Sequence, residues 1–166
     1  MLKRFGPEIW IADGPVVAAG AGFHYPTRMA VIRLSGDALF VWSPVALTDA
    51  LREQVQALGA VRYLIAPNSL HDRFLAQWQA AYPAAVIHAA PGLSRRRDDL
   101  TFGADLDDAP PPQWSAEIAQ ALMRGNLITT EAVFFHYASG TAIFTDMIQH
   151  FTPTWFTGWR PPSLIR

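Results

Sequence analysis

Four polar residues follow two short apolar runs, at positions where α/β sheets do their chemistry. After Tyr63–Ala66 (YLIA) come Asn68, His71 and Asp72; after Thr141–Thr145 (TAIFT) comes Asp146. Polar groups at the C-terminal ends of strands line the crevice in which α/β proteins bind ligands. An acid directly after an apolar strand serves as a ligand or general base, or it caps the next turn; both readings stand for Asp146. For Asn68 the preferred reading is the N-cap of a helix. His71 precedes Phe74 and Leu75 by three and four residues, which turns it inward on a helix, as a satisfied core imidazole or as a metal ligand. His150 lies four residues after Asp146, so on a helix the two would share a face and could touch one metal. His88 ends another apolar run and either faces the site or caps the sheet. His136 is set aside by distance: it ends one hairpin strand and Asp146 the other, and at ~3.3 Å per residue they lie roughly 15 Å apart.

Several chemistries are excluded outright. The chain has no cysteine, which removes disulfides, iron–sulfur clusters, thiol nucleophiles and thiolate zinc sites. It contains no G-x-S-x-G, no phosphate-binding G-x-x-x-x-G-K-[ST] and no H-E-x-x-H. Gly20-Ala21-Gly22 resembles the start of a dinucleotide loop, but Tyr25 stands where the third glycine belongs. Arg95-Arg96-Arg97 before Asp98-Asp99 reads as a self-compensating surface turn in preference to a phosphate site.

The elements that must position these residues follow from periodicity. Glu8–Asp13 alternates apolar and polar residues and is expected to stop at Gly14-Pro15, followed by a loop over Val17–Thr27. Met29–Leu34 and Ala38–Trp42 flank Ser35-Gly36-Asp37, a hairpin signal. Thr48 is the expected N-cap of a helix that Gly59 ends, with Leu51, Val55 and Leu58 as its apolar stripe. Tyr63–Ala66 is a buried strand, Leu70–Tyr82 a helix stopped by Pro83, and Ala85–His88 a strand. The middle therefore reads β–α–β–α–β. Residues 91–114 are irregular, Glu117–Met123 is ambiguous between helix and strand, and Ala132–His136 with Thr141–Thr145 forms a second hairpin.

With 166 residues, 51% of them hydrophobic and 16% charged, the chain can bury one substantial core and is expected to form a single domain over 1–166. Its formal net charge is −1, so no basic field exists to hold nucleic acid or an anionic membrane. The N-terminal segment lacks the apolar core of a signal peptide, and no apolar run approaches the ~20 residues of a spanning helix. A soluble cytoplasmic protein is the expectation. Residues 151–166 form an aromatic, proline-rich tail carrying Phe151, Trp155, Phe156 and Trp159; it is expected to pack on the core or across a homodimer.

The run RYLIAPNSLHDRFLAQWQAAYPAAVIHAAPGL, the later VFFHYASGTAIFTD and the opening EIWIADGPV resemble an uncharacterised family classed with the metallo-β-lactamase-like hydrolases. The resemblance covers roughly residues 1–160. It implies an α/β fold of the metallo-β-lactamase-like αββα sandwich type, either truncated in its C-terminal half or shortened. The active hydrolases carry H-x-H-x-D-H, which supplies zinc ligands. Laid over this chain, that motif puts Asn68 at the first histidine, Leu70 at the second, Asp72 at the aspartate and Arg73 at the last histidine. A third histidine is expected near Leu127–Glu131, where none stands. Asp146 matches the bridging aspartate.

Leucine cannot ligate, and arginine puts a permanent positive charge where a cation would sit. Arg73 is therefore expected to pair with Asp72 or Asp146. The leading expectation is a degenerate member of unknown small-molecule ligand, with no cofactor and no zinc hydrolase activity. The alternative is a hydrolase using zinc or another divalent metal at a rearranged mononuclear site. There His71, Asp146 and His150 would be ligands and Asp72 the general base or a supporting acid.

Overall fold

The computed structural model describes residues 1–18, 24–125 and 130–148. His150, the tail 151–166 and most of the expected third-histidine region lie outside them.

Among the described residues nine strands form two sheets. The first holds β1 (Lys3–Gly6), β2 (Ile9–Ala18), β3 (His24–Arg33), β4 (Ala38–Trp42), β5 (Ala60–Ala66) and β6 (Val86–Ala89), in that spatial order. The strands β1 to β4 are antiparallel, and β4, β5 and β6 are parallel. The parallel crossovers are made by α1 (Asp49–Leu58) and α2 (Leu75–Ala81). The second sheet is the antiparallel meander β7 (Ile118–Met123), β8 (Glu131–His136) and β9 (Thr141–Ile143).

Alternation along the strands builds two cores. Met29 and Val31 of β3, Leu39 and Val41 of β4, and Leu64 and Ala66 of β5 face the helices, where they meet Leu51, Val55, Leu75 and Trp78. The intervening Ala30, Ile32, Phe40, Trp42 and Ile65 face the second sheet and pack on Trp114, Ile118, Leu122, Ala132, Phe134 and Ile143. Phe40 makes edge-on ring contacts with Trp114 and Phe134, at centroid distances of 5.3 and 5.5 Å. A strand covered on both faces must be apolar throughout, which is why ALFVW carries no polar residue. The described residues thus make a helix layer, a sheet and a second sheet.

The first helix is as expected: Thr48 accepts from the Leu51 N–H at 3.2 Å, and Gly59 ends it. Gly59 is required by contact, since a Cβ there would strike the Asp37 carbonyl. Both hairpins form, and β6 follows the second helix.

Three expectations need correction, and one ambiguity is resolved. Strand β2 does not stop at Gly14-Pro15 but runs to Ala18, because a bulge between Asp13 and Val16 absorbs the proline. The expected loop over Val17–Thr27 is, at both described ends, the outer part of the β2–β3 hairpin. Helix α2 starts at Leu75 and not at Leu70: Asn68 Oδ1 accepts from the Leu70 N–H in a turn, and the helix begins only after Phe74. Glu117–Met123 resolves as strand β7; Gln120 faces inward, where it accepts from Trp114 Nε1 and donates to the carbonyls of Asp107 and Ala109, and this hid the period. Strand β1 had no sequence signal.

Phe40 fills the space between the sheets, whereas Phe135 lies half-exposed on the outer face of the second sheet. Phe40→Ala is therefore expected to cost about 3–5 kcal/mol in urea melts, while Phe135→Ala costs about 1 kcal/mol or less.

Candidate functional site

Three strand ends converge on one polar cluster. Strand β4 delivers Ser43, β5 delivers Asn68 and His71 through the turn that follows it, and the end of the β8–β9 hairpin delivers Asp146. The turn is tied to the second sheet by the Ala132 N–H, which donates to the Pro67 carbonyl at 2.7 Å.

Asn68 is 0% exposed and uses its whole amide. Its Oδ1 accepts from the Leu70 N–H at 2.8 Å. That bond fixes which amide atom is which, since a backbone N–H needs an acceptor. Its Nδ2 therefore points the other way and donates to Thr145 Oγ1 at 3.0 Å and to Asp146 Oδ2 at 2.7 Å. The same Asp146 Oδ2 lies 3.5 Å from His71 Nε2. On its other side, His71 Nδ1 is 2.7 Å from Ser43 Oγ. The Trp42 ring stands beside the imidazole, 6.4 Å between centroids.

Glu131 anchors the Asp146 side. It is buried at the start of β8, and its carboxylate accepts the backbone N–H groups of Thr145, Asp146 and Met147 at 2.7, 2.9 and 3.2 Å. The chain after β9 is thereby turned so that the Asp146 side chain reaches Asn68.

His71 and Asp146 are thus brought together, and Asp72 is not. Asp72 pairs with Arg97 at 2.8 Å, and Arg97 also grips Asp99 through two bonds of 2.7 Å. Asp99 first, then Asp72, hold the Arg97 guanidinium well above its ordinary pKa. The expected role of Arg73 therefore falls to Arg97: Arg73 is exposed, and Arg97 stands nearer the acid because its own turn folds back over the entrance to α2. Leu70 is 56% exposed and touches neither acid through a polar atom. His150 lies outside the described residues. His88 does not join the cluster; it packs on Trp114 and meets the Ala104 carbonyl at 2.9 Å. His136 sits at the far end of β8, with Ser139 Oγ 2.7 Å from its Nδ1, as the distance argument required. Sequence reading missed Ser43 and Glu131. The signal at Ser43 is its place after an apolar strand and before Pro44; Glu131 offered none beyond a buried strand's leading acid.

A helix-covered sheet packed on a second sheet, with polar residues gathered at one edge of that packing, is the metallo-β-lactamase-like fold. Within it, the chain belongs to the family described as a domain of unknown function, DUF4336, whose model matches residues 8–156. No curated protein matches the sequence. Among solved structures it is similar to the DIM-1 metallo-β-lactamase (10% identity, TM-score 0.61), a metallo-β-lactamase from Pontibacter korlensis (8%, 0.61) and the FIM-1 enzyme from Pseudomonas aeruginosa in its mono-zinc form (13%, 0.54). These alignments cover 82%, 82% and 81% of this chain but only 64%, 66% and 63% of those longer chains. No helix among the described residues is long and apolar enough to cross a membrane.

The zinc that the resemblance implies does not fit the donors at the motif positions. Zinc wants about four imidazole or carboxylate ligands with open lone pairs. Here Asn68 turns N–H donors toward Asp146, where a cation would need acceptors. Glu131 is occupied by three backbone donors. Among the described residues no group of three or more His, Asp or Glu could hold a metal ion.

Two outcomes follow. Glu131→Ala leaves three N–H groups without their acceptor and should cost about 2–4 kcal/mol in urea melts, with Glu131→Gln costing less. Burial lowers the pKa of His136, against the pull of Glu117 and Glu8, and likewise that of His88, against its bond to the Ala104 carbonyl. The unfolded chain then binds protons more readily than the folded one, so stability should fall as pH drops through the ordinary histidine range near 6.5. His136→Gln should flatten that fall in melts recorded from pH 7.5 to 5.

Proposed function

We propose that this protein is a degenerate member of the metallo-β-lactamase fold that works without zinc and receives a small molecule at the Ser43–His71–Asp146 edge. The observation that carries the reading is the buried Asn68 amide. It stands where the active hydrolases' motif has its first histidine, and both directions of its hydrogen bonding are spent on the protein. A cation entering here would displace two N–H donors from Thr145 and Asp146 and strand a buried amide. Arg97 beside Asp72 ties the carboxylate at the neighbouring motif position into an ion pair.

What is left is a hydrogen-bonding surface. His71 and Asp146 each keep part of the side chain exposed, so a polar ligand can reach this edge. The alternative is a hydrolase with a mononuclear metal at His71, Asp146 and His150, where a metal on Asp146 Oδ2 would compete with Asn68.

Metal analysis separates the two. Protein purified without chelator and dialysed against a mild one should hold well under one zinc per chain, and added zinc should leave the melting temperature unchanged. Stoichiometric retained zinc would overturn the reading and favour the hydrolase.

A further inference from the structure

We propose that Ser43, His71 and Asp146 form a metal-free acyl-transfer site, with Ser43 as nucleophile toward small carboxylic esters. This rests on the zinc-free reading above. The geometry is that of a nucleophile, its base and the group that orients the base. Ser43 Oγ lies 2.7 Å from His71 Nδ1, and His71 Nε2 lies 3.5 Å from Asp146 Oδ2. Asp146 carries the charge that keeps the imidazole proton on Nε2, which leaves the Nδ1 lone pair to accept the Ser43 O–H. Asp146 is itself held in place by the Asn68 amide and, through its backbone, by Glu131. The three residues come from three separate segments, so no local turn preference accounts for their meeting.

The backbone supplies a second observation. Ser43 has φ +49°, a conformation that residues with a Cβ rarely adopt, and it precedes Pro44, which favours an extended backbone at the residue before it. Strain of this kind persists only where the surroundings impose it. Here it sets a serine at the end of a buried parallel strand with its hydroxyl turned to an imidazole. A third observation is beside them: the buried Trp42 Nε1–H has no hydrogen-bond partner among the described residues.

The reaction balances with water as the only co-reactant. Ser43 Oγ bonds to the ester carbonyl carbon as its proton passes to His71 Nδ1. The carbon–oxygen bond to the alcohol breaks, and that alcohol leaves with the proton from Nδ1. Water then attacks the acyl group, giving its proton to Nδ1. The carboxylic acid departs, and Ser43 Oγ recovers the proton. Asp146 touches no substrate and acts as a positioning residue. Ser43 is only 6% exposed, so the acyl group must be small.

The test uses the full chain, treated with EDTA and then exposed to a small alkyl fluorophosphonate, with p-nitrophenyl acetate as a turnover substrate. One phosphonyl adduct per chain is expected, mapped to the peptide holding Ser43 and unaffected by EDTA. Ser43→Ala should abolish it. His71→Asn should slow it by roughly 100-fold or more, the contribution of a general base. Circular dichroism checks that both variants fold, and adduct mapping on the unaltered protein decides alone if either does not. An unlabelled Ser43, or a label elsewhere, overturns the proposal and reduces Ser43 to a support for His71; the zinc-free reading survives if zinc is also absent. Retained zinc with EDTA-sensitive turnover overturns both.

Discussion

Strand β4 has to hide both of its faces at once, and the rest of the molecule is arranged to let it. Leu39 and Val41 need the helices; Phe40 and Trp42 need a second apolar layer. A single helix-backed sheet would leave Phe40 in water, so the chain returns after residue 114 to lay β7, β8 and β9 across it. Aromatic rings meeting edge-on between the layers set the spacing of the sheets. Because β4 and β5 are parallel and covered, their ends cannot be tied off by tight hairpins. Ser43 and the Pro67–Phe74 turn are the loose ends that result.

Those ends meet the second sheet at one corner, and there the polar groups have to satisfy one another. Asn68 bonds 77 and 78 residues ahead, to Thr145 and Asp146, and so ties the turn after β5 to the chain after β9. Glu131 fixes the chain after β9 through three backbone donors, which sets Asp146 against Asn68. The corner that in active hydrolases is organised around a metal is here organised around a carboxamide and a carboxylate.

How much of this was legible in the sequence depended on the range of the interaction. Thr48 and Gly59 declare a helix because the cap and the stop act within a few residues. The apolar runs at β4 and at the end of β5 are unmistakable because both faces are buried. Asn68 looked like a cap because asparagine before a helical stripe usually is one, and the partners of its Nδ2 lie far along the chain. Gln120 disguised β7 because an inward-facing amide breaks an apolar alternation. Among three consecutive arginines no local feature distinguishes Arg97 as the partner of Asp72. Ser43 was hidden in a serine–proline pair that reads as an ordinary turn. His71 and Asp146 were legible as candidates because they follow apolar strands, but the amide that binds one of them was not.

The Arg97 bridge has a dynamic corollary. By holding Asp72 and Asp99 together, it fastens the long irregular stretch after β6 to the turn that carries His71. That stretch is itself seated in the two cores through Leu93, Leu106 and Trp114. The bridge adds a polar tie between this anchored segment and the His71 turn, so local opening of the turn has to break it. The imidazole's surroundings are thus linked to a residue more than twenty positions away along the chain.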